Sequence, residues 1–100
     1  MGRAARYSEG EVSALVANYA ELKELRDTDS RGMRPLIALA DLDRAMARLS
    51  WNEWGAVLLH GLLGISQEET ARLLQLSQQA VSKRFRHGLE DIHYYLNGGA

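Results

Sequence analysis

Residues 66–87 read SQEETARLLQLSQQAVSKRFRH, and this stretch decides the fold. Ser66 followed three positions later by Glu69 is a capping box, so a helix is expected to start there and to run to about Leu74. Ser77 supplies a second N-cap, from which a longer helix is expected to run from Gln78 to about Leu96. Two helices of about eight and twenty residues joined by a three-residue turn form a helix-turn-helix pattern. Ala71 is small where the second helix must approach the first, and Leu76 and Val81 are the apolar residues that fix the second helix to a core. The outward face then falls to Gln78, Gln79, Ser82, Lys83 and Arg86. A glutamine offers adenine a paired donor and acceptor, and lysine or arginine can reach guanine or phosphate, so this set suits the major groove of double-stranded DNA. Ser66, Gln67 and Ser77, near helix N-termini, are placed to hold phosphates, and Arg84 and His87 extend the basic run toward the DNA backbone. Glu90 and Asp91 follow at once and are expected to bound the footprint, because phosphate repels carboxylates.

Outward from this stretch the chain stays helical. Ser8 with Glu11 and Ser50 with Glu53 repeat the capping-box spacing. The first predicts one helix from Glu9 to Arg26 with Val12, Leu15, Val16, Tyr19, Leu22 and Leu25 on its apolar side. A loop over Asp27 to Met33 follows, and Pro35 is expected to open a second helix that presents Leu39, Leu42, Met46 and Leu49. Ser50 begins a third helix, from Trp51 to about Leu62, with Trp51 and Trp54 expected in the core and Gly61 and Gly64 ending it. On the last helix Val81, Phe85, Leu89 or Gly88, Ile92 and Leu96 should face inward, and residues 97–100 read as a frayed tail. The expectation is an all-α fold of about five helices with a C-terminal helix-turn-helix. Residues 1–40 would form an N-terminal helical extension and 41–100 the DNA-binding domain.

Bulk composition narrows the function. One hundred residues with 46% hydrophobic and 25% charged side chains suffice for one modest core. Cysteine is absent and the three histidines stand apart, so no metal or other cofactor is expected. No run approaches the roughly 20 apolar residues that cross a bilayer, and residues 1–7 lack a secretory pattern, so a cytoplasmic location without membrane contact is expected. There is no glycine-rich phosphate loop and no nucleophile beside a base, which argues against an enzyme and against a small-molecule substrate. His60 reads as a satisfied helix-end histidine. The net charge of −1 disfavours a non-specific nucleic-acid coat. The charge is nevertheless uneven. Residues 9–29 hold six acids against two bases, whereas 83–87 hold three bases and a histidine with no acid.

Asp41 to Leu96 resembles region four of bacterial sigma factors, the domain that reads promoters. The stretches that carry the likeness are LDRAMARLS, AVLLHGLLGISQEETARLLQLS and QAVSKRFRHGLEDIHYYL, which fall at that family's spacing without gaps. The resemblance implies a helix-turn-helix DNA-binding transcriptional regulator. Two residues depart from the family's pattern. Gln75 stands where the turn usually has glycine, and so must adopt a left-handed backbone at about 1 kcal/mol unless the turn is of another type. Thr70 replaces a usual aliphatic residue and brings a hydroxyl near the core. Nothing resembles the other sigma regions, so the chain is not expected to act as a complete sigma factor. A helix placed before such a domain is also similar in architecture to small phage-encoded late-gene regulators.

Several readings stay open at this point. The acidic N-terminal helix is either a lid on the core or, through Val12, Leu15, Tyr19 and Leu22, the seam of a homodimer. RNA polymerase is a further candidate partner. The rival functions are a DNA-packaging adaptor like a phage small terminase, and a protein-interaction module that binds polymerase or a sigma factor without meeting DNA.

Overall fold

A computed structural model of the chain describes residues 7–28 and 33–99, whose regular elements are all helical. In order they are α1 (Glu9–Ala17), α2 (Tyr19–Thr28), α3 (Met33–Met46), α4 (Trp51–Ala56) continuing into a π-helical turn (Val57–Leu62), α5 (Gln67–Leu74) and α6 (Gln78–Leu96). Of the loop expected over Asp27 to Met33, Asp27 and Thr28 belong to α2 and Met33 already starts α3, two residues ahead of the Pro35 expected to open it; residues 29–32 and the side chain of Leu25 lie outside the described residues. No described helix is long and apolar enough to cross a membrane.

The one element that departs in number is the first. Where a single helix was expected from Glu9 to Arg26, the chain breaks at Asn18 into α1 and α2. Asn18 has φ −105° and ψ 15°, and its side-chain amide donates to the Ala14 carbonyl at 2.8 Å. Asparagine competes in this way with the backbone ladder, and that local competition is why it disfavours helix interiors.

Serines start four of the helices, as the sequence predicts: Ser8, Ser50, Ser66 and Ser77. Glu11 N–H donates to Ser8 Oγ at 3.1 Å while Ser8 N–H donates back to Glu11 Oε1 at 2.8 Å, a complete capping box. At α5 the Ser66 hydroxyl accepts from Glu69 N–H at 3.0 Å, but the Glu69 carboxylate turns away to pair with Arg72. The same hydroxyl cap recurs at α4, from Glu53 N–H to Ser50 Oγ at 3.3 Å.

The core gathers Val12, Val16, Leu42, Ala45, Met46, Val57, Leu62, Ile92 and Leu96, so α1 shares it with the helices of the C-terminal half. Helix α6 runs through the middle and packs against α1, α3, α4, α5 and the π-helical turn. Two glycines let it do so. A Cβ on Gly88 would stand 2.4 Å from Val57 Cγ2, and one on Gly61 would stand 2.6 Å from Val16 Cγ1 and 2.9 Å from Phe85 Cε1. Phe85 is half-buried against the core and meets the His60 ring edge to face, with centroids 4.9 Å apart. His60 Nδ1 lies 2.7 Å from the Ile65 carbonyl, which satisfies it at the helix end as expected.

Two expectations fail here. Trp51 is not in the core: it is 80% exposed and stacks on half-buried Trp54, with centroids 5.3 Å apart and planes 6° from parallel. The inward face of this segment is set by Ala56 and Val57, both 0% exposed, which leaves the first residue of α4 on the outer edge. Nor are residues 97–99 frayed. Gly98 (φ +94°) and Gly99 close α6 in a Schellman arrangement, with Gly99 N–H donating to the Tyr94 carbonyl at 2.9 Å and Gly98 N–H to that of Tyr95 at 3.2 Å. Asn97 then exchanges two 2.9 Å bonds with Tyr7, donating from Nδ2 to Tyr7 O and accepting at Oδ1 from Tyr7 N–H. The Tyr7 hydroxyl donates to the nearly buried Asp41 carboxylate at 2.8 Å, and Asp41 also pairs with Arg44.

The α4–α6 contact generates two predictions. Gly88→Ala gains helix propensity of about 1 kcal/mol, but its methyl would drive into Val57, a stiff β-branched side chain with no exposed surface to move into. The clash should win, with a net loss of about 1–3 kcal/mol in urea denaturation. An unchanged midpoint would show that the two helices can part cheaply. Beside this glycine, burial raises the Glu53 carboxyl above its ordinary value of 4.5, and a hydrogen bond and charge repulsion from Asp91 on α6 raise it further. The folded state therefore binds this proton more tightly than the unfolded chain. That contribution is fully present below the unfolded value and is lost as pH rises through the raised one. Glu53→Gln should accordingly raise the melting temperature at pH 7, with a gain that shrinks toward pH 4. A gain that is independent of pH would assign the effect to something other than this carboxyl.

Candidate nucleic-acid interface

The bend between α5 and α6 depends on Gln75, whose φ of 57° and ψ of 47° put it in the left-handed region, the first of the two alternatives the sequence allows and a conformation that glycine adopts at less cost. Its own N–H and the next close α5 in a Schellman pattern: Gln75 N–H donates to the Arg72 carbonyl at 3.2 Å and Leu76 N–H to that of Ala71 at 2.8 Å. Ala71 is 4% exposed, small where Leu76 folds back beneath α5. Thr70 is fully buried, and its hydroxyl, 3.5 Å from the Ile65 carbonyl, has an acceptor on the preceding loop. The aliphatic position therefore tolerates threonine because the loop before α5 turns a carbonyl toward it.

Ser77 starts α6 by accepting Ala80 N–H at 3.1 Å. From there the helix divides as its sequence predicts. Val81 and Ile92 are 0% exposed and Gly88 is buried, and on the opposite side Gln78, Gln79, Ser82, Lys83 and Arg86 are all exposed. These five side chains share one face over the first three turns. Ser66 and Ser77, also exposed, flank it at the starts of α5 and α6, each hydroxyl accepting from its own helix and keeping its O–H free to donate.

The other expected site residues are placed differently. Gln67 Nε2 donates to the Gln78 carbonyl at 2.9 Å and so braces the start of α5 against the start of α6. Its amide fixes the angle between the two helices, a role that the spacing does not reveal. Arg84 is half-buried and leans toward α4, where its guanidinium reaches Asn52 Oδ1 at 3.4 Å beside Trp51 and Trp54. His87 is half-buried as well, on the flank between the exposed face and the α4 contact. The acid pair Glu53 and Asp91 was not legible in sequence, since 38 positions separate residues 53 and 91 and only the α4–α6 packing brings them together.

A family profile described as sigma-70, region 4 matches residues 39–92, more than half of the chain. The chain belongs to the sigma-70 region 4 family. The matched span opens in α3 and closes in α6, so it includes α5, the turn and α6 as far as Ile92, together with α4 and the π-helical turn. No curated protein and no solved structure matches the chain. The sigma region 4 domain is a DNA-binding helix-turn-helix, and its all-helical architecture is the one the residues predict.

Gln75 makes the turn testable. A glutamine held at positive φ carries roughly 1–2 kcal/mol of strain, and a glycine there would relieve it while adding about 0.5–1 kcal/mol of backbone entropy to the unfolded chain. Gln75→Gly is therefore expected to stabilise by up to about 1 kcal/mol, read as a higher urea midpoint. A lower midpoint would mean that the Gln75 side chain itself holds the turn.

Proposed function

We propose that the chain is a sequence-specific transcriptional regulator that reads the major groove of double-stranded DNA with the N-terminal half of α6. The observation that carries this reading is the division of α6: a polar and basic face of Gln78, Gln79, Ser82, Lys83 and Arg86 stands opposite a buried stripe. Glutamine amides discriminate adenine through paired hydrogen bonds, and Lys83 and Arg86 supply charge for guanine or phosphate. Ser66 and Ser77 add hydroxyl donors to the backbone on either side, while Gln67 presets the helix angle. Arg84 joins the phosphate contacts by leaving Asn52, and His87 lies at the edge of the footprint.

On this reading the protein acts by binding, with no catalytic step and no cofactor, in the cytoplasm. RNA polymerase is the natural second partner of a sigma region 4 domain in a regulator. The helices α1 and α2 ahead of the domain are similar in architecture to small phage late-gene regulators, and a phage-encoded regulator is the finer form of the same reading. A homodimer seam along α1 has less to draw on than its sequence suggests, because Val12 and Val16 are buried within the chain and Leu15 and Tyr19 pack against its core.

Selection of bound sites from random duplex DNA at two salt concentrations tests the proposal and gives the operator. Replacing Gln79 and Lys83 together with alanine should weaken binding to the selected site by roughly 2–5 kcal/mol, at about 1–3 per good base contact. Melting should hardly change, since exposed substitutions usually stay within about 0.5 kcal/mol each. A folded double mutant that binds the selected site undiminished would overturn the assignment of α6.

A further inference from the structure

A groove runs along the outer side of α1 and α2, on the flank of α1 turned away from α6. Its residues on α1 and α2, Glu11, Ala14, Leu15, Glu21 and Leu22, recur at helical spacing across the Asn18 break, and Tyr7 closes one end. The floor is apolar, from Ala14, Leu15 and Leu22, and the rim is acidic, from exposed Glu11 and Glu21. Residues 7–24, which carry the groove, hold four acids and one base. The opposite flank of α1 is different. There Glu9, Val12 and Ser13 lie beside Arg86, Leu89 and His93 of α6.

We propose that the α1–α2 groove is a docking site for a basic amphipathic helix of a partner protein. An apolar strip at helical spacing receives a helix that offers apolar residues at three- and four-residue intervals, and the glutamates on its rim select lysine and arginine beside them. Charge decides between occupants. A second copy docked by two-fold symmetry would set the same acidic rims against each other, and like charges across an interface are a strong penalty. DNA and anionic lipid are disfavoured for the same reason. Because the groove opens away from α6, an occupied groove leaves the face with Gln79 and Lys83 open, and one molecule can hold DNA and a protein at once. The inference does not rest on the DNA reading, and its test contains no DNA in the deciding arm.

The test uses the full chain labelled with 15N and a helical peptide of about 14 residues, with leucines at three- and four-residue spacing and lysines at the remaining outward positions. A control peptide carries glutamate in place of each lysine. Amide shifts should concentrate on Ala14, Leu15, Asn18 and Leu22, with a dissociation constant in the micromolar range, and the acidic peptide should not bind. Glu21→Lys, an exposed change that leaves the melt intact, should weaken the lysine peptide at least tenfold. It should leave affinity for a selected DNA site unchanged. Absent binding, shifts centred elsewhere, equal binding of the two peptides, or full affinity in Glu21→Lys would each overturn the proposal. A stable dimer by sedimentation that Glu21→Lys breaks would overturn it in favour of a second copy.

Discussion

Helix α6 meets the segment Trp51–Leu62 at a place where neither side can yield. Gly88 has no Cβ, and the Val57 methyl occupies the space one would need. That contact fixes how close the two helices lie and, through the rigidity of a helix, the direction in which the first three turns of α6 point. Everything on the exposed face inherits this direction. Val81 and Ile92, buried on either side of Gly88 along the same stripe, keep the helix from rolling. The orientation of five polar side chains is therefore decided by atoms that never touch a ligand.

The molecule also separates its charges. The four acids of residues 7–24 lie on α1 and α2, and Lys83 and Arg86 lie on the exposed face of α6. With a net charge of −1 the chain has little long-range attraction for nucleic acid, so what attraction it has must be local. A domain of this kind depends more on fit than on charge, and its binding should be less diminished by salt than that of a strongly basic protein. The Glu53–Asp91 pair fits the same arrangement, since it ends the basic face on the α4 side with a site that resists holding two negative charges.

Much of this was legible in the residues. The turn was readable because its parts are local: two serine caps, a small Ala71, and apolar Leu76 and Val81 at fixed offsets. Gln75 was readable as strained because a helix-turn-helix needs a left-handed residue where this chain has a side chain. What escaped is long-range or competitive. Asn18 divides a strip whose apolar periodicity continues on both sides, so the pattern gave no sign of the break. Trp51 has the spacing of a core residue from Trp54 but sits at the first position of its helix, where inward direction is set by later residues. Gln67 and Arg84 each have a partner supplied by another helix, Gln78 and Asn52, and sequence spacing does not show which helices adjoin.

The bond pair between Tyr7 and Asn97 spans 90 positions. Closing so long a loop costs little more entropy than closing one of half the length, because the cost grows only with the logarithm of separation. Its effect is on cooperativity. Helix α6 is secured by Ser77 at one end and by this clasp at the other, so its last turn cannot open without releasing the segment that leads into α1. Terminal fraying, usually the cheapest motion of a helix, becomes tied to the opening of the whole domain. The helix that presents the polar face thus behaves as the spine of a single folding unit, and its far end is held by the residue that leads into α1.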